Sequence, residues 1–478
     1  MNGKKISRRE MLRMSAFTGA SLVLASCGAT PTATPAAPPA TSAPAATALP
    51  AVTPTTAPAA SAQEVTITYW TWAAANFPHY QQQADRWNQT MTGKPKIKFN
   101  GVLVPTTTET ITKGMNAMAA GTGVPDIFLI EIGSISKFLK GSPTLAEQYL
   151  VSMNDMLNMF DGKWQDDFLG FAPYTWAGNV YGIEIGLSPV AYYYRSDLFD
   201  KAGINMPLET WDDWMAAGDT MKKAGHALCA FDTTSDNEFI MELYQAGGDL
   251  FDKDGNLTVK DEKAYKAMEL IITAAKAGVR WPTEGYWGAP HFAALNDGSV
   301  AGVISAIWYS SFILKPQAKA EAGNWKVQPM PAWTTSGTWG GANYNTRKTS
   351  TWGGTALTLP KQTANPQLTF DFLAFSMLTK EGATSVYQVL QQMPVVKSVI
   401  HDDSITNIPD SFYGGQAFNK VFADLADFIP PKYPDPFWNE AETELGKTIP
   451  PLMKGQGTYQ SQIDSAADAI KNIMAAGA

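Results

Sequence analysis

The sequence is short of the residues from which many enzymes and metal sites are built. Its 478 residues include two cysteines and four histidines. His79, His226, His291 and His401 lie far apart in the chain, so no group with metal-ligand spacing arises, and neither a metal nor a cofactor is expected. There is no Gly-x-Ser-x-Gly elbow, no Walker A phosphate loop and no Gly-x-Gly-x-x-Gly turn, so no catalytic residue is assigned. Positive charge is also scarce. Lysine and arginine number 36 against 44 acids, a formal charge of −8, which excludes the basic footprint of a nucleic-acid binder. The apolar run 16–25 near the amino terminus is too short to span a bilayer permanently.

What is present begins with an export pattern. Lys4, Lys5, Arg8, Arg9 and Arg13 form a basic start, the apolar run follows, and Leu24-Ala25-Ser26-Cys27 ends it. The last four residues resemble a bacterial lipobox, which implies lipidation of Cys27 and a membrane held through that lipid. Ser7-Arg8-Arg9-Glu10-Met11-Leu12 resembles a twin-arginine signal. Residues 28–63 are almost all Ala, Thr, Pro and Ser, a composition that builds no core and reads as a disordered tether. With Cys27 acylated, Cys229 has no partner, so no internal disulfide is expected. Cys229 lies in the apolar run Ala227-Leu228-Cys229-Ala230-Phe231 and reads as a buried, inert thiol.

From residue 64 the hydrophobic pattern alternates between strand and helix. Val65, Ile67 and Tyr69 alternate with threonines, a strand that closes at Trp70-Thr71-Trp72. Residues 76–88 read as a helix, 96–104 as a strand, and Ile111, Met115 and Met118 as one face of a helix that Gly121 stops. Residues 125–131 form a third, apolar strand. This order predicts an open parallel α/β sheet. Ligands of such sheets sit beyond the carboxyl ends of the strands, which places Trp70, Trp72 and Glu131 at a cleft rim. A second α/β pattern follows: a strand over 227–231 ending at Asp232, and a helix over 262–277. Asp252-Lys253-Asp254-Gly255 reads as a tight turn and not as a calcium loop, because Leu257 stands where that loop needs glycine.

Between these halves, residues 183–194 are β-branched and aromatic, broken by Gly186 and Pro189, as suits a chain crossing between two domains. Thr210 predicts a helix start, with Asp213 three residues on to complete a capping box. The motifs Tyr181-Gly182-Ile183, Tyr194-Arg195-Ser196-Asp197-Leu198-Phe199, Ala202-Gly203-Ile204 and Thr210-Trp211-Asp212-Asp213 resemble the sugar-type extracellular solute-binding proteins of ABC importers, family 1, which are maltose-binding-protein-like. Ala119-Ala120-Gly121 with Pro125-Asp126-Ile127-Phe128, and Phe292 with Gly298, Val300 and Ala301, extend the resemblance over roughly residues 64–478. The chain departs from it at Glu184, where proline is common, at Arg195, where asparagine is common, and at Gly302, where methionine is common.

The resemblance implies an α/β, two-lobe periplasmic-binding-protein-like fold of type II, joined by three hinge crossovers. Extended segments at 183–194, Trp325–Pro331 and Met393-Pro394 are read as those crossovers. The expected lobes are 64–186 with 327–392, and 187–326 with 393–478, after the export signal 1–27 and the linker 28–63. The resemblance further implies a ligand-facing Trp308 in Ser305-Ala306-Ile307-Trp308-Tyr309-Ser310, and a Gly-Gly pair before a strand. Trp339-Gly340-Gly341 and Trp352-Gly353-Gly354 both fit the latter. The second is preferred, because a strand over 355–359 and a helix from Asn365-Pro366 follow it.

Fifteen Trp, 17 Tyr and 22 Phe supply flat faces for the C–H surfaces of sugars, while carboxylates suit their hydroxyls. The candidate ligand residues are Trp70, Trp72, Glu131, Glu184, Asp232, Trp287, Trp308, Ser310, Trp352, Gly353 and Gly354. The expected function is capture of a di- or oligosaccharide between two lobes by a monomer that delivers it to the transmembrane permease of an ABC transporter, with no nucleic acid involved. The alternatives are a secreted glycoside hydrolase, with Glu131 paired to Glu184 or Asp232, and a receptor for glycerol phosphate, a polyamine or a peptide, for which Arg195 and Arg347 are the nearest phosphate-binding candidates.

Overall fold

The structure is a computed structural model, and it describes residues 63–477. The export signal, Cys27 and nearly all of the linker therefore lie outside the described residues. Among those described are twelve strands: β1 (Glu64–Thr71), β2 (Lys96–Leu103), β3 (Ile127–Glu131), the short pair β4 (Thr175–Trp176) and β5 (Asn179–Val180), β6 (Gly182–Glu184), β7 (Val190–Arg195), β8 (Cys229–Asp232), β9 (Arg280–Thr283), β10 (Gly302–Ala306), β11 (Trp325–Pro329) and β12 (Thr355–Thr358).

The first half builds a five-stranded sheet in the order β2-β1-β3-β12-β6. β1 is parallel to β2 and to β3, as the strand–helix alternation requires. β12 arrives from far along the chain and runs antiparallel to both β3 and β6. The helices lie close to where local signals put them. Thr106 accepts a hydrogen bond from the Glu109 amide at the start of helix Thr107–Ala120, and Gly121, at φ +69°, ends it in the left-handed region that glycine tolerates. Thr210 and Asp213 make the reciprocal capping box of helix Trp211–Lys223.

The second half has a three-stranded antiparallel sheet, β10-β7-β11, and a parallel pair, β8-β9. Two large hydrophobic clusters follow this division only in part. One contains Ile67, Ile127 and Leu357, and extends to Tyr193, Val327 and Phe418. The other gathers Trp211, Trp214, Phe239, Ile271 and Trp333, and receives Trp438, Ile463 and Ile470 from the carboxyl-terminal helices.

The crossovers need one correction. Residues 325–331 do not cross: β11 pairs with β7 from Trp325↔Arg195 to Pro329↔Ala191. Met330, Trp333, Trp339 and Tyr344, which follow β11, belong to the second cluster, so the chain remains with that half past residue 327. The return comes at 349–354. There Val190 N donates to Ser350 O (3.2 Å) and Trp352 N to Ser188 O (3.3 Å), while Leu187 N donates to Met393 O (2.8 Å). Three passages of chain thus lie side by side at residues 187–190, 349–352 and 393. An extended segment bounded by proline looks the same in sequence whether it crosses or pairs; only its partner strand decides.

Candidate functional site

β3 and β6 flank β12 and both run opposite to it, so their carboxyl ends reach the same edge of the sheet. The register places Thr355 opposite Glu131 and Ala356 opposite Glu184. Two carboxylates distant in sequence are thereby brought to the edge where α/β sheets bind ligands. Glu131 caps the turn that follows it, accepting from the amides of Gly133 (2.9 Å) and Ser134 (3.3 Å) through Oε2. Burial raises its pKa; those amides and the Lys432 ammonium oppose the rise, and Glu442 adds to it. Glu184 is 5 % exposed, and burial pushes its carboxyl well above the usual range. Its oxygens rest against Gly354 and Gly170, where a Cβ would come within 2.7 Å of one or the other. The glycine at 354, at φ +134°, therefore makes room for a carboxylate as well as for the turn.

A cavity of about 250 Å³ opens at this edge. Its wall takes Glu131, Gly133 and Ser134 from the end of β3, Asn237 and Ile240 from helix Asn237–Ala246, and Thr351, Trp352 and Gly353 from the returning crossover. Lys432, Asn439 and Glu442 of the carboxyl-terminal region complete it. Three tryptophans lead outward. The Trp352 indole donates to Asn237 Oδ1 (3.1 Å), and the Trp308 indole donates to the Trp352 carbonyl (3.0 Å). The Trp308 and Trp352 ring centroids lie 4.8 Å apart. Trp287 stacks parallel to Trp308, centroids 6.1 Å apart and planes 5° apart. It is 64 % exposed, unusual for so large an apolar ring.

The sequence-derived candidates divide accordingly. Glu131, Trp352 and Gly353 line the cavity; Trp308 packs on Trp352 and Trp287 on Trp308, outside that lining; Glu184 and Gly354 sit together just behind it. Trp70 and Trp72 do not line it. β1 is separated from β12 by β3, and both rings are half-buried at the end of β1, with Trp72 packed on the first cluster. Asp232 is 4 % exposed and turned into its own loop. It accepts from Thr234 N (2.9 Å), Thr234 Oγ1 (2.7 Å) and Ser235 Oγ (2.9 Å), so it shapes the entry to helix Asn237–Ala246 and offers little to a ligand. Ser310 is fully buried and accepts from the Tyr413 hydroxyl (2.6 Å), a contact within the core. Of the two Trp-Gly-Gly copies, Trp339 is buried in the second cluster, whereas Trp352 and Gly353 face the cavity.

Asn237, Lys432, Asn439 and Glu442 carried no signal in the sequence beyond the four prolines that bracket Lys432. Arg195, a phosphate-binding candidate, is buried and paired with Asp197 and Glu321 (2.8 Å each). Cys229 is free and buried, and burial pushes its thiol up to about 12, as an inert residue requires. Among the described residues, no group of three or more His, Cys, Asp or Glu is placed to hold a metal.

A fold of this kind, with a polar cavity at a strand-end edge beside three chain crossovers, defines a ligand-capturing α/β protein. The family model described as "Bacterial extracellular solute-binding protein" matches residues 82–412, and the chain belongs to that family. It is 26% identical over 421 residues to the arabinooligosaccharide-binding protein of Bacillus subtilis, covering 85% of this chain and 92% of that one. It is 28% identical over 413 residues to the lactose-binding protein of Rhizobium radiobacter, covering 83% and 90%. Among solved structures it resembles the sugar-binding protein MalE from Xanthomonas citri, with a TM-score of 0.69 and 17% identity over 86% of this chain and 98% of that one. It also resembles the ABC-transporter-associated binding protein of B. animalis subsp. lactis in complex with beta-1,6-galactobiose, with a TM-score of 0.66 and 22% identity over 85% and 96%. The fold is thus the periplasmic-binding-protein-like α/β fold. Membership of a solute-binding family sets aside the hydrolase alternative.

Proposed function

We propose that this exported protein is the substrate-binding component of an ABC importer and captures an oligosaccharide in the cavity at the β3–β12–β6 edge. The observation that carries this reading is the continuity of a polar cavity with the Trp352–Trp308–Trp287 series. The carboxylates, Asn237 and Asn439 suit hydroxyls, and the indole faces suit the apolar sides of sugar rings. At about 250 Å³ the cavity lies just below the ~300 Å³ lower bound of typical small-molecule sites, so a longer sugar would continue over Trp308 and Trp287. The names of the arabinooligosaccharide- and lactose-binding relatives support the same class of ligand.

In this reading 64–186, with 355–392, forms one lobe, and 190–349, with the carboxyl-terminal helices that pack on the second cluster, the body of the other. Both close on the sugar by hinge motion at the three adjacent passages and present a joint surface to the transmembrane permease. The acylated Cys27 and the tether 28–63 hold the receptor at the membrane; Cys27→Ser then releases it into the soluble fraction. The test of ligand class is calorimetric titration of the mature chain with arabinotriose, lactose, maltotriose, spermidine and glycerol 3-phosphate, followed by analysis for products. Binding of one of the sugars without turnover is expected. Binding of spermidine or the phosphate alone, or product formation, overturns the reading.

A further inference from the structure

Lys432 is 9 % exposed and is the only buried lysine among the described residues. It lines the cavity. Its ammonium lies 4.1 Å from the centre of the Trp438 ring, and among the described residues it forms no ion pair within 4.0 Å. A lysine ammonium has three donors, and this one is not among the buried polar atoms left without a partner: it opens onto the cavity it lines. The segment holding it is Pro430-Pro431-Lys432-Tyr433-Pro434-Asp435-Pro436. Each proline fixes its own φ and restrains the residue before it, and Asp435 Oδ1 locks the end of the segment by accepting from the Phe437 amide (2.8 Å). The lysine is thus held in advance, at little ordering cost on binding.

Resting on the oligosaccharide reading above, we infer that Lys432 is a specificity-determining ligand contact, which with Glu131 and Glu442 selects neutral sugars presenting adjacent free hydroxyls. A hydroxyl both accepts and donates. It can take a hydrogen bond from the Lys432 ammonium and pass its own proton toward a carboxylate of the same wall. A uronic-acid carboxylate could accept from Lys432 but would face Glu131 and Glu442. An amino-sugar ammonium would compete with Lys432 for the same two acids and meet its like charge there. The electrostatics agree with a site awaiting a polar neutral ligand: burial lowers the lysine's pKa against the opposing pull of Glu442, Glu131, Asp249 and Glu184, while burial raises the carboxyls of Glu131 and Glu442.

The experiment compares wild type, Lys432→Met and the double variant Lys432→Met/Glu442→Gln in the mature chain. The calorimetric probes are arabinotriose, lactose and maltotriose, with digalacturonate and chitobiose as the acidic and amino counterparts. Melting temperature is recorded alongside. Lys432→Met is expected to weaken the tightest neutral sugar by about ten- to a hundredfold, the range for a charge-assisted hydrogen bond. Its melting temperature should not fall, and wild type should bind both charged counterparts more weakly than that sugar. In the double variant the affinity should stay low. Unchanged affinity in Lys432→Met overturns the inference and leaves the oligosaccharide reading standing. So does recovery of both affinity and melting temperature in the double variant, which would make the lysine a counter-charge only. Tightest binding of either charged counterpart overturns the selectivity, and failure of every sugar to bind wild type removes both readings together.

Discussion

Gly353→Ala tests whether the tryptophan series is held by the crossover backbone. Gly353 has φ +73°, and a Cβ there would lie 2.9 Å from Trp308 Nε1. That nitrogen donates to the Trp352 carbonyl at 3.0 Å. The left-handed conformation costs alanine about 1 kcal/mol, and displacing the indole forfeits a hydrogen bond worth about 1 kcal/mol. The expected destabilisation is therefore about 2–3 kcal/mol. At ~2 cal/mol/K per residue over roughly 400 folded residues, the melting temperature falls by only about 2–3 °C. The change in binding is larger in consequence, because Trp308 cannot move without disturbing Trp287, stacked on it, and Trp352, packed 4.8 Å away. An affinity loss of about tenfold corresponds to ~1.4 kcal/mol and is the expected result. A double-mutant cycle with Trp308→Phe, which removes the clashing nitrogen, should show a coupling of about 1 kcal/mol in urea unfolding. Wild-type sugar affinity in Gly353→Ala, with strict additivity in the cycle, would refute the reasoning.

Arg280 is fully buried and paired with Glu242, with Glu238 nearby. Arg280→Met leaves those acids without a counter-charge and should lower stability by about 3–5 kcal/mol; an unmoved urea midpoint contradicts this. Trp287→Ala removes an exposed ring, so stability should hold within about 0.5 kcal/mol. Titration of maltose and maltotetraose should show a weaker long sugar and an unchanged short one; equal losses for both would place Trp287 elsewhere in the binding path. Asp249 is pushed by burial from 3.8 up to about 7. The folded state therefore holds a proton that the unfolded state releases. Stability from this group is full below pH 3.8 and is lost as pH rises through about 7. Urea unfolding between pH 5 and 8 should show that decline, and Asp249→Asn should reduce it, leaving the part that Glu238 and Glu242, also raised by burial to about 7, contribute.

Much of the scaffold was legible because its determinants are local. Alternation in 64–70, the cap at Thr210 with Asp213, the stop at Gly121 and the glycines beside Trp352 act over a few residues, and each lies where the pattern put it. The candidates that the cavity lining does not include were chosen for residue type at a strand end, or in Ser310 for its nearness to Trp308, which fixes a place along the chain but not a partner. Asp232 sits at the end of β8 as expected, yet its lone pairs are taken by Thr234 and Ser235. Ser310 follows Trp308 closely, but it turns into the core toward Tyr413.

The sequence by itself determined the strand and helix order, the aromatic supply and the two strand-end carboxylates. Those follow from side-chain periodicity, backbone preference and composition, which need no distant partner. Tertiary structure alone decided that β12 would enter between β3 and β6 and bring Glu131 and Glu184 to one edge. It decided that β11 would pair with β7 instead of crossing, and that a proline-framed lysine near the end of the chain would line a cavity begun at residue 131. Such choices are made by packing and hydrogen bonding between residues far apart in sequence, where no local pattern records the partner.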